Sequence, residues 1–214
     1  MSSARWLARQ RSDQWVLKAA REGYRSRAAY KLLQLDQKHK PPLLTPGGVA
    51  LELGASPGSW TQVMVKRDMF VVGVDLLPCE PIEGSTFVQG DFTEESIQRQ
   101  LLDALGGRQA DIVVSDLSPN RSGLKSLDEA RMCDFAEQGV ELARQCLKPG
   151  GHLICKLLQG EGLDGLLGRM KPCFQRGALA KPPASRPSSR EIYFIGREFK
   201  PVGFDQYWLN GGIM

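Results

Sequence analysis

Short apolar runs alternate with longer amphipathic stretches from about residue 48 to residue 197. VALELGA (49–55), FVVGVDLL (70–77), STFVQGD (85–91), ADIVVSDLS (110–118), HLICKLL (152–158) and EIYFIGREF (191–199) are rich in β-branched and apolar residues, which predicts strands. Between them, TEESIQRQLLDAL predicts a helix with Thr93 as N-cap and Ser96 one turn later. A second helix is predicted over 127–147, closed by Lys148-Pro149-Gly150-Gly151, and a weaker one near 163–171. The first 40 residues read as one or two helices, and KPPASRPSS (181–189) is too rich in Pro and Ser for regular structure. Strands alternating with helices mean βαβ units, hence an α/β fold whose mostly parallel sheet is covered on both faces. There is no internal repeat.

In such sheets ligands sit outside the carboxyl ends of the strands, so the residue that ends each run carries the chemical interest. Those residues are Gly54, Asp75, Asp91, Asp116 and Lys156. Gly54 and Gly58, in LELGASPGSW, offer a tight turn and close backbone approach to a ligand. The turn is not the G-x-G-x-x-G of dinucleotide sites, and Pro57 removes a backbone donor that a pyrophosphate would want. A nucleoside without phosphates, such as S-adenosylmethionine, needs fewer such donors. Asp75 lies 21 residues after Gly54, where an acid accepts both ribose hydroxyls of either kind of ligand. Asp91 follows Gly90 and could accept from an adenine amino group; the alternative for each acid is a turn or cap residue. In SDLSPN, Asp116 sits at a strand tip, and Ser118-Pro119-Asn120 supplies a stiff turn with an amide.

Lys156 is the odd residue. HLICKLLQG encloses one charge among apolar neighbours, although desolvating an ammonium costs several kcal/mol unless it is compensated. Asp116 and Lys156 come from neighbouring strand tips and should converge on the reacting atoms. An unperturbed lysine, pKa about 10.4, is neutral only about one part in a few thousand at pH 7. Burial or a second cation lowers that value and a carboxylate raises it, so a lysine–acid–lysine cluster can poise an amine to take or polarise a hydroxyl proton.

At 214 residues the chain is long enough for one domain with a full core, and 42% hydrophobic with 24% charged residues is ordinary globular composition. No apolar run is long enough to span a membrane, and the N-terminus lacks the apolar centre of a secretory signal. It is Arg-rich, as organellar transit peptides are, but helical patterning begins almost at once. Five scattered cysteines without a C-x-x-C pair read as reduced core thiols, and two histidines leave little for a metal site or a Ser–His hydrolase. Residues 1–40 carry a net charge of +7 within a chain total of +4, so the rest sums to −3. A second basic stretch, 171–200, holds seven Lys/Arg against Glu191 and Glu198. Two basic segments around a near-neutral middle look like a polyanion footprint, with a merely solvated surface as the alternative. Arg25 and Arg27, beside Tyr24 and Tyr30, would grip phosphates, as would Arg186 and Arg190; Tyr30 is expected to pack on the sheet.

RWLARQRSDQWVLKAAREGYRSRAAYKLLQLD, LGASPGSW, GVDLLP, GDF, SDLSPN, KLLQGEG and SREIYFI together resemble the FtsJ/RrmJ family of ribosomal RNA 2′-O-ribose methyltransferases over nearly the whole chain. The resemblance implies a Rossmann-like fold with a seven-stranded sheet, S-adenosylmethionine as cofactor, no metal, and a single domain over 1–214 acting as a monomer. It implies a catalytic tetrad of Lys31, Asp116, Lys156 and Glu191, in which Lys156 accepts the proton of the ribose 2′-hydroxyl. The cofactor is expected against Gly54, Gly58, Trp60, Asp75, Asp91 and Asp116. The implied substrate is a uridine in the A-loop of large-subunit ribosomal RNA, in the cytoplasm. Mitochondrial rRNA, tRNA, and a non-catalytic ribosome-assembly role are the alternatives; the absence of G-x-G-x-x-G and Tyr-x-x-x-Lys speaks against a dehydrogenase. ASPGSW stands where the family shows AAPGGW, and SDLSPN where it shows SDMAPN, which should tune contacts rather than abolish binding. The tail over 199–214 extends beyond the family's usual end.

Overall fold

The apolar runs of the central strands lose nearly all contact with water because helices cover both faces of the sheet they form. In the computed structural model, which describes residues 12–119 and 122–201, helix α1 (Gln14–Arg21) and helix α2 (Ala29–Gln37) precede the sheet. Strand β1 (Val49–Leu53) leads to α3 (Ser59–Val65), then β2 (Phe70–Asp75), β3 (Ser85–Gln89), α4 (Glu95–Ala104) and β4 (Ala110–Ser115). Helix α5 (Lys125–Cys146), β5 (Leu147–Leu158), α6 (Leu163–Met170), β6 (Phe174–Ala180) and β7 (Glu191–Phe199) complete the described chain. The expectations for Asn120 and for the tail beyond residue 201 fall outside the described residues.

The strands form one sheet in the order β3-β2-β1-β4-β5-β7-β6, parallel up to β5, with β7 antiparallel to both β5 and β6. Strand order reverses between β1 and β4, which opens a crevice at their carboxyl ends. Alternate side chains divide the core. Leu51, Leu53, Val72, Val113, Leu153 and Leu157 pack against α4, α5 and α6. Ala50, Val71, Ile112, Ile154 and Tyr193 pack against α2 and α3. Strand period then puts Lys156 on the same side as Ile154, toward α2.

Four local features differ from the sequence reading. The seventh strand, β6, was not among the six runs: FQRGALA is an edge strand whose side chains are mostly solvated, so it lacks the apolar signal of a covered one. Helix α4 starts later than predicted; Glu94 is its N-cap residue, while Thr93 turns its N–H and hydroxyl back to Asp91 Oδ1. The 127–147 helix begins at Lys125 and ends at Cys146. The KPGG segment belongs to β5 rather than to a helix-ending loop: Leu147 pairs with Ala110 and His152 with Ile112, so residues 148–151 bulge.

Candidate active site

Lys156 is 5% exposed, deeper than any other charged group at the strand tips. Register explains the depth: Ser115 lies beside Cys155, so the next residues, Asp116 and Lys156, are neighbours just past the end of β4. Lys156 Nζ donates to Asp116 Oδ1 at 2.8 Å and to the Asp116 carbonyl at 2.7 Å. Two of the three positions on the nitrogen are thus taken by Asp116. From α2, Lys31 Nζ reaches Glu191 Oε2 at 3.2 Å and Asp116 Oδ1 at 3.7 Å. The four residues expected to act together are therefore one connected cluster, drawn from one helix and three strand ends.

Burial alone would raise the Asp116 carboxyl, but Lys156 and then Lys31, with hydrogen bonds from Lys156 and Tyr193, hold it below the usual carboxylate range. Tyr193 was absent from the predicted site. Its hydroxyl donates to Asp116 Oδ1 at 2.7 Å, and its ring lies 5.8 Å from Lys31 Nζ. Burial and the Asp116 charge push its phenol well above the ordinary value, so it remains a donor. A signal existed: Tyr193 is two residues beyond Glu191 in a strand, hence on the same face, and it pairs with Lys156.

The expected cofactor acids line a crevice with Gly54, Ser56, Leu76, Phe92 and Leu117. Asp75 Oδ2 accepts from the Ser56 N–H and Oδ1 from the Leu77 N–H, each at 2.9 Å, which ties the two loops together. Gly54 has φ +82°, and a Cβ there would come within 3.0 Å of the Leu117 nitrogen, so glycine lets the β1 turn pass close to the β4 loop. Among the described residues, Asp75, Asp91 and Asp116 line the crevice and no Lys or Arg does. That charge opposes a pyrophosphate and suits a nucleoside carrying a sulfonium cation, so the residues present fit S-adenosylmethionine.

Trp60 and Gly58 do not line the crevice. Trp60 is buried: its indole N–H donates to the Ala28 carbonyl at 2.8 Å and its ring packs 5.9 Å from Tyr193, so it supports the tetrad from below. Gly58, at φ +102°, leaves room for Arg25; a Cβ would lie 2.7 Å from Arg25 Nη1. Two of the serines that depart from the resembled pattern bond to neighbouring loops and helices of the chain. Ser56 Oγ donates to the Pro78 carbonyl at 3.3 Å, and Ser59 Oγ pairs with Ser26 Oγ at 2.7 Å. Beneath the crevice, Glu52 is fully buried; burial raises its carboxyl to about 8 against the hydrogen bond from Thr61, and Asp116 and Asp75 add to the rise.

The arginines expected to grip RNA are largely engaged. Arg25 donates to the Pro57 and Glu80 carbonyls at 2.8 Å and to Pro81 at 3.2 Å, clamping the glycine turn to the loop after β2. Arg27 is paired with Asp13 and with the Ala184 carbonyl. Arg186 lies 3.8 Å from the same Asp13, and Arg190 is held by Glu129 and the Gln159 carbonyl. The two basic segments thus meet each other: the 181–189 loop docks on α1 and α2, with Ala184 packed against Ala19 and Tyr30. Tyr30 is buried, but not on the sheet as expected: it packs with Ala19 and Ala184, and its hydroxyl donates to Glu22. All five cysteines are free thiols, and among the described residues no cluster of His, Cys, Asp and Glu could hold a metal and no helix is long and apolar enough to cross a membrane.

The FtsJ-like methyltransferase family matches residues 24–199. Ribosomal RNA large subunit methyltransferase E of Hydrogenovibrio crunogenus is 45% identical over 199 residues, 92% of this chain and 96% of that one. The protein of the same name from Cellvibrio japonicus is 43% identical over 201 residues, covering 92% and 94%. A solved structure from Plasmodium falciparum, assigned as a ribosomal RNA methyltransferase, superposes with a TM-score of 0.74 at 31% identity, over 82% of this chain and 98% of that one.

Proposed function

The chain belongs to the FtsJ-like methyltransferase family, and from that premise we propose that it methylates a ribose 2′-hydroxyl of large-subunit ribosomal RNA, a uridine of the A-loop, with S-adenosylmethionine as donor. The observation that carries the reading is the connected Lys31–Asp116–Lys156–Glu191 cluster at the edge of the acidic crevice. Asp75 and Asp91 would hold the nucleoside end of the cofactor, with Gly54 and Leu76 beside it. When bound, S-adenosylmethionine supplies a methyl carbon already activated by its sulfonium.

What remains for the protein is the proton on the attacking hydroxyl. Lys156 Nζ accepts that proton at the one position Asp116 leaves open, and the Asp116 carboxylate stabilises the ammonium that results. Lys31 shares Asp116 Oδ1, so both lysines are oriented by one carboxylate oxygen. Glu191 keeps Lys31 in place, and Tyr193 fixes the Asp116 rotamer by donating to the same oxygen. An assembly factor without activity would have no use for a tetrad kept intact in this geometry.

Labelled S-adenosylmethionine incubated with unmodified large subunits, free rRNA and tRNA tests the reading. Large-subunit rRNA should take the label, and Lys156→Ala should lose roughly 10³-fold in transfer rate while still binding the cofactor. Undiminished activity in that variant would remove the role given to Lys156, and calorimetric binding of NAD in place of S-adenosylmethionine would overturn the reading.

A further inference from the structure

We propose that Gln62 of α3 is a positioning residue for Lys31, fixing the segment that leads into α2 and with it the place of the Lys31 ammonium; this rests on the reading of the chain as an RNA 2′-O-methyltransferase. Lys31 is the third residue of α2 and sits in its first turn. That turn lacks the usual supports. Ala28, at the N-cap position, makes no side-chain cap, no acid lies in the first turn, and the helix has only nine residues. A cation at the positive end of a helix is also opposed by the helix dipole. What fixes the start of α2 therefore comes from elsewhere in the fold.

It comes from α3. Segment 23–28, which joins α1 to α2, is held by four hydrogen bonds to side chains of α3. Gln62 supplies two of them: its Oε1 accepts from the Arg25 N–H at 2.8 Å, and its Nε2 donates to the Gly23 carbonyl at 2.9 Å. One amide thus satisfies a backbone donor and a backbone acceptor two residues apart, as a neighbouring strand would. Ser59 Oγ pairs with Ser26 Oγ at 2.7 Å, and the Trp60 indole donates to the Ala28 carbonyl at 2.8 Å. The Ser26 hydroxyl in turn accepts from the Ala28 N–H at 3.2 Å, and the Ala28 carbonyl accepts from the Lys31 N–H at 2.9 Å. A line of hydrogen bonds therefore runs from α3 to the backbone of Lys31 itself.

The same helix start serves the cofactor turn. The Gln62 N–H donates to the Gly58 carbonyl at 2.9 Å, one helical turn back, and the Arg25 whose backbone Gln62 holds sends its guanidinium to Pro57 and Glu80. Lys31 and the cofactor turn are thereby referred to one rigid element. Trp60 also packs on Tyr193, so a change there disturbs Asp116 as well. Gln62 is different: among the described residues it is found in no bond to the tetrad, and it does not line the crevice. A change in Gln62 reaches the reaction through the segment it holds. Misplacing a reacting group by about 1 Å from outside the site costs up to roughly 100-fold in rate, so the loss of both amide bonds is readable in kinetics.

The test measures methyl transfer to unmodified large-subunit rRNA, and S-adenosylhomocysteine affinity, for the wild type, Gln62→Ala, Gln62→Met, Lys31→Ala and the double variant Lys31→Ala with Gln62→Ala. Gln62→Ala should lower kcat about tenfold, with the KM for RNA and the S-adenosylhomocysteine affinity within about twofold of the wild type. Gln62→Met keeps the length of the side chain and removes both hydrogen bonds, so it should lose as much. In the Lys31→Ala background Gln62→Ala should cost nothing further, whereas a residue that only supports the fold would cost the same in both backgrounds. Should Gln62→Ala fail to fold, Gln62→Met takes its place in both backgrounds. A full rate in the Gln62 variant that folds, an equal loss in both backgrounds, or an unaltered rate in Lys31→Ala overturns the positioning role and leaves the methyltransferase reading intact. No transfer by the wild type to any RNA overturns both.

Discussion

The acidic crevice and the basic face put their charges to opposite uses. Asp75, Asp91 and Asp116 sit at strand tips, tied down by backbone N–H groups or by the tetrad, and still line open space. Arg25, Arg27, Arg186 and Arg190 instead have carbonyls and carboxylates of their own chain as partners, although Arg25 stays exposed. A strand tip delivers its side chain to the crevice because the sheet ends there. An arginine on a helix or loop carries a long arm and five donors, and a nearby carbonyl satisfies them as well as a phosphate would. Basic charge in a sequence therefore does not by itself identify residues that would touch a polyanion.

Four substitutions would break or sharpen that contrast. Lys31→Ala removes the second cation from Asp116 and should cost roughly 10²-fold in transfer rate with cofactor affinity retained; an unaltered rate would mean that the cluster works as Lys156 and Asp116 alone. Glu52 has a folded pKa of about 8 against an ordinary 4.5, so the folded state holds a proton that the unfolded chain has lost between those values. Stability should be greatest below pH 4.5 as far as this group is concerned and fall as pH rises to 8, by on the order of 4 kcal/mol. Glu52→Gln should flatten that slope in thermal melts; an equal slope in the variant would place the buried charge elsewhere.

On the basic side, Arg27→Ala should lower stability by about 2 kcal/mol, because it strips the partner from the half-buried Asp13 and frees the 181–189 loop. RNA affinity should keep its salt slope, whereas a slope lessened by one would restore Arg27 as a phosphate contact. Arg25→Ala should weaken cofactor binding about fivefold by releasing the clamp on Pro57 and Glu80, a loss of about 1 kcal/mol. An effect on RNA affinity alone would reverse that assignment.

The sheet was legible because period-two burial and glycine- or acid-terminated runs are local signals, and the acids that line the crevice came with it. Lys156 was legible as an exception to its own strand. β6 was not, since an edge strand solvated on both sides carries no apolar alternation. Trp60 was placed against the cofactor from its motif, yet the turn at Gly58 sends the ring into the core under Tyr193. Tyr193 itself is an ordinary core aromatic by pattern, and only the pairing of β5 with β7 sets its hydroxyl against Asp116. The partners of Arg25 and Arg27 were not legible for the same reason: they lie far away in sequence, at Pro57, Glu80 and Ala184.

The most direct measurement digests rRNA labelled by the wild type and by Lys156→Ala and identifies the methylated nucleoside by mass spectrometry. A methyl on the ribose, resistant to alkaline cleavage at its 3′ side and missing from the Lys156→Ala product, is the predicted result. A methyl on the base, or a ribose methyl formed at full yield without Lys156, would contradict it.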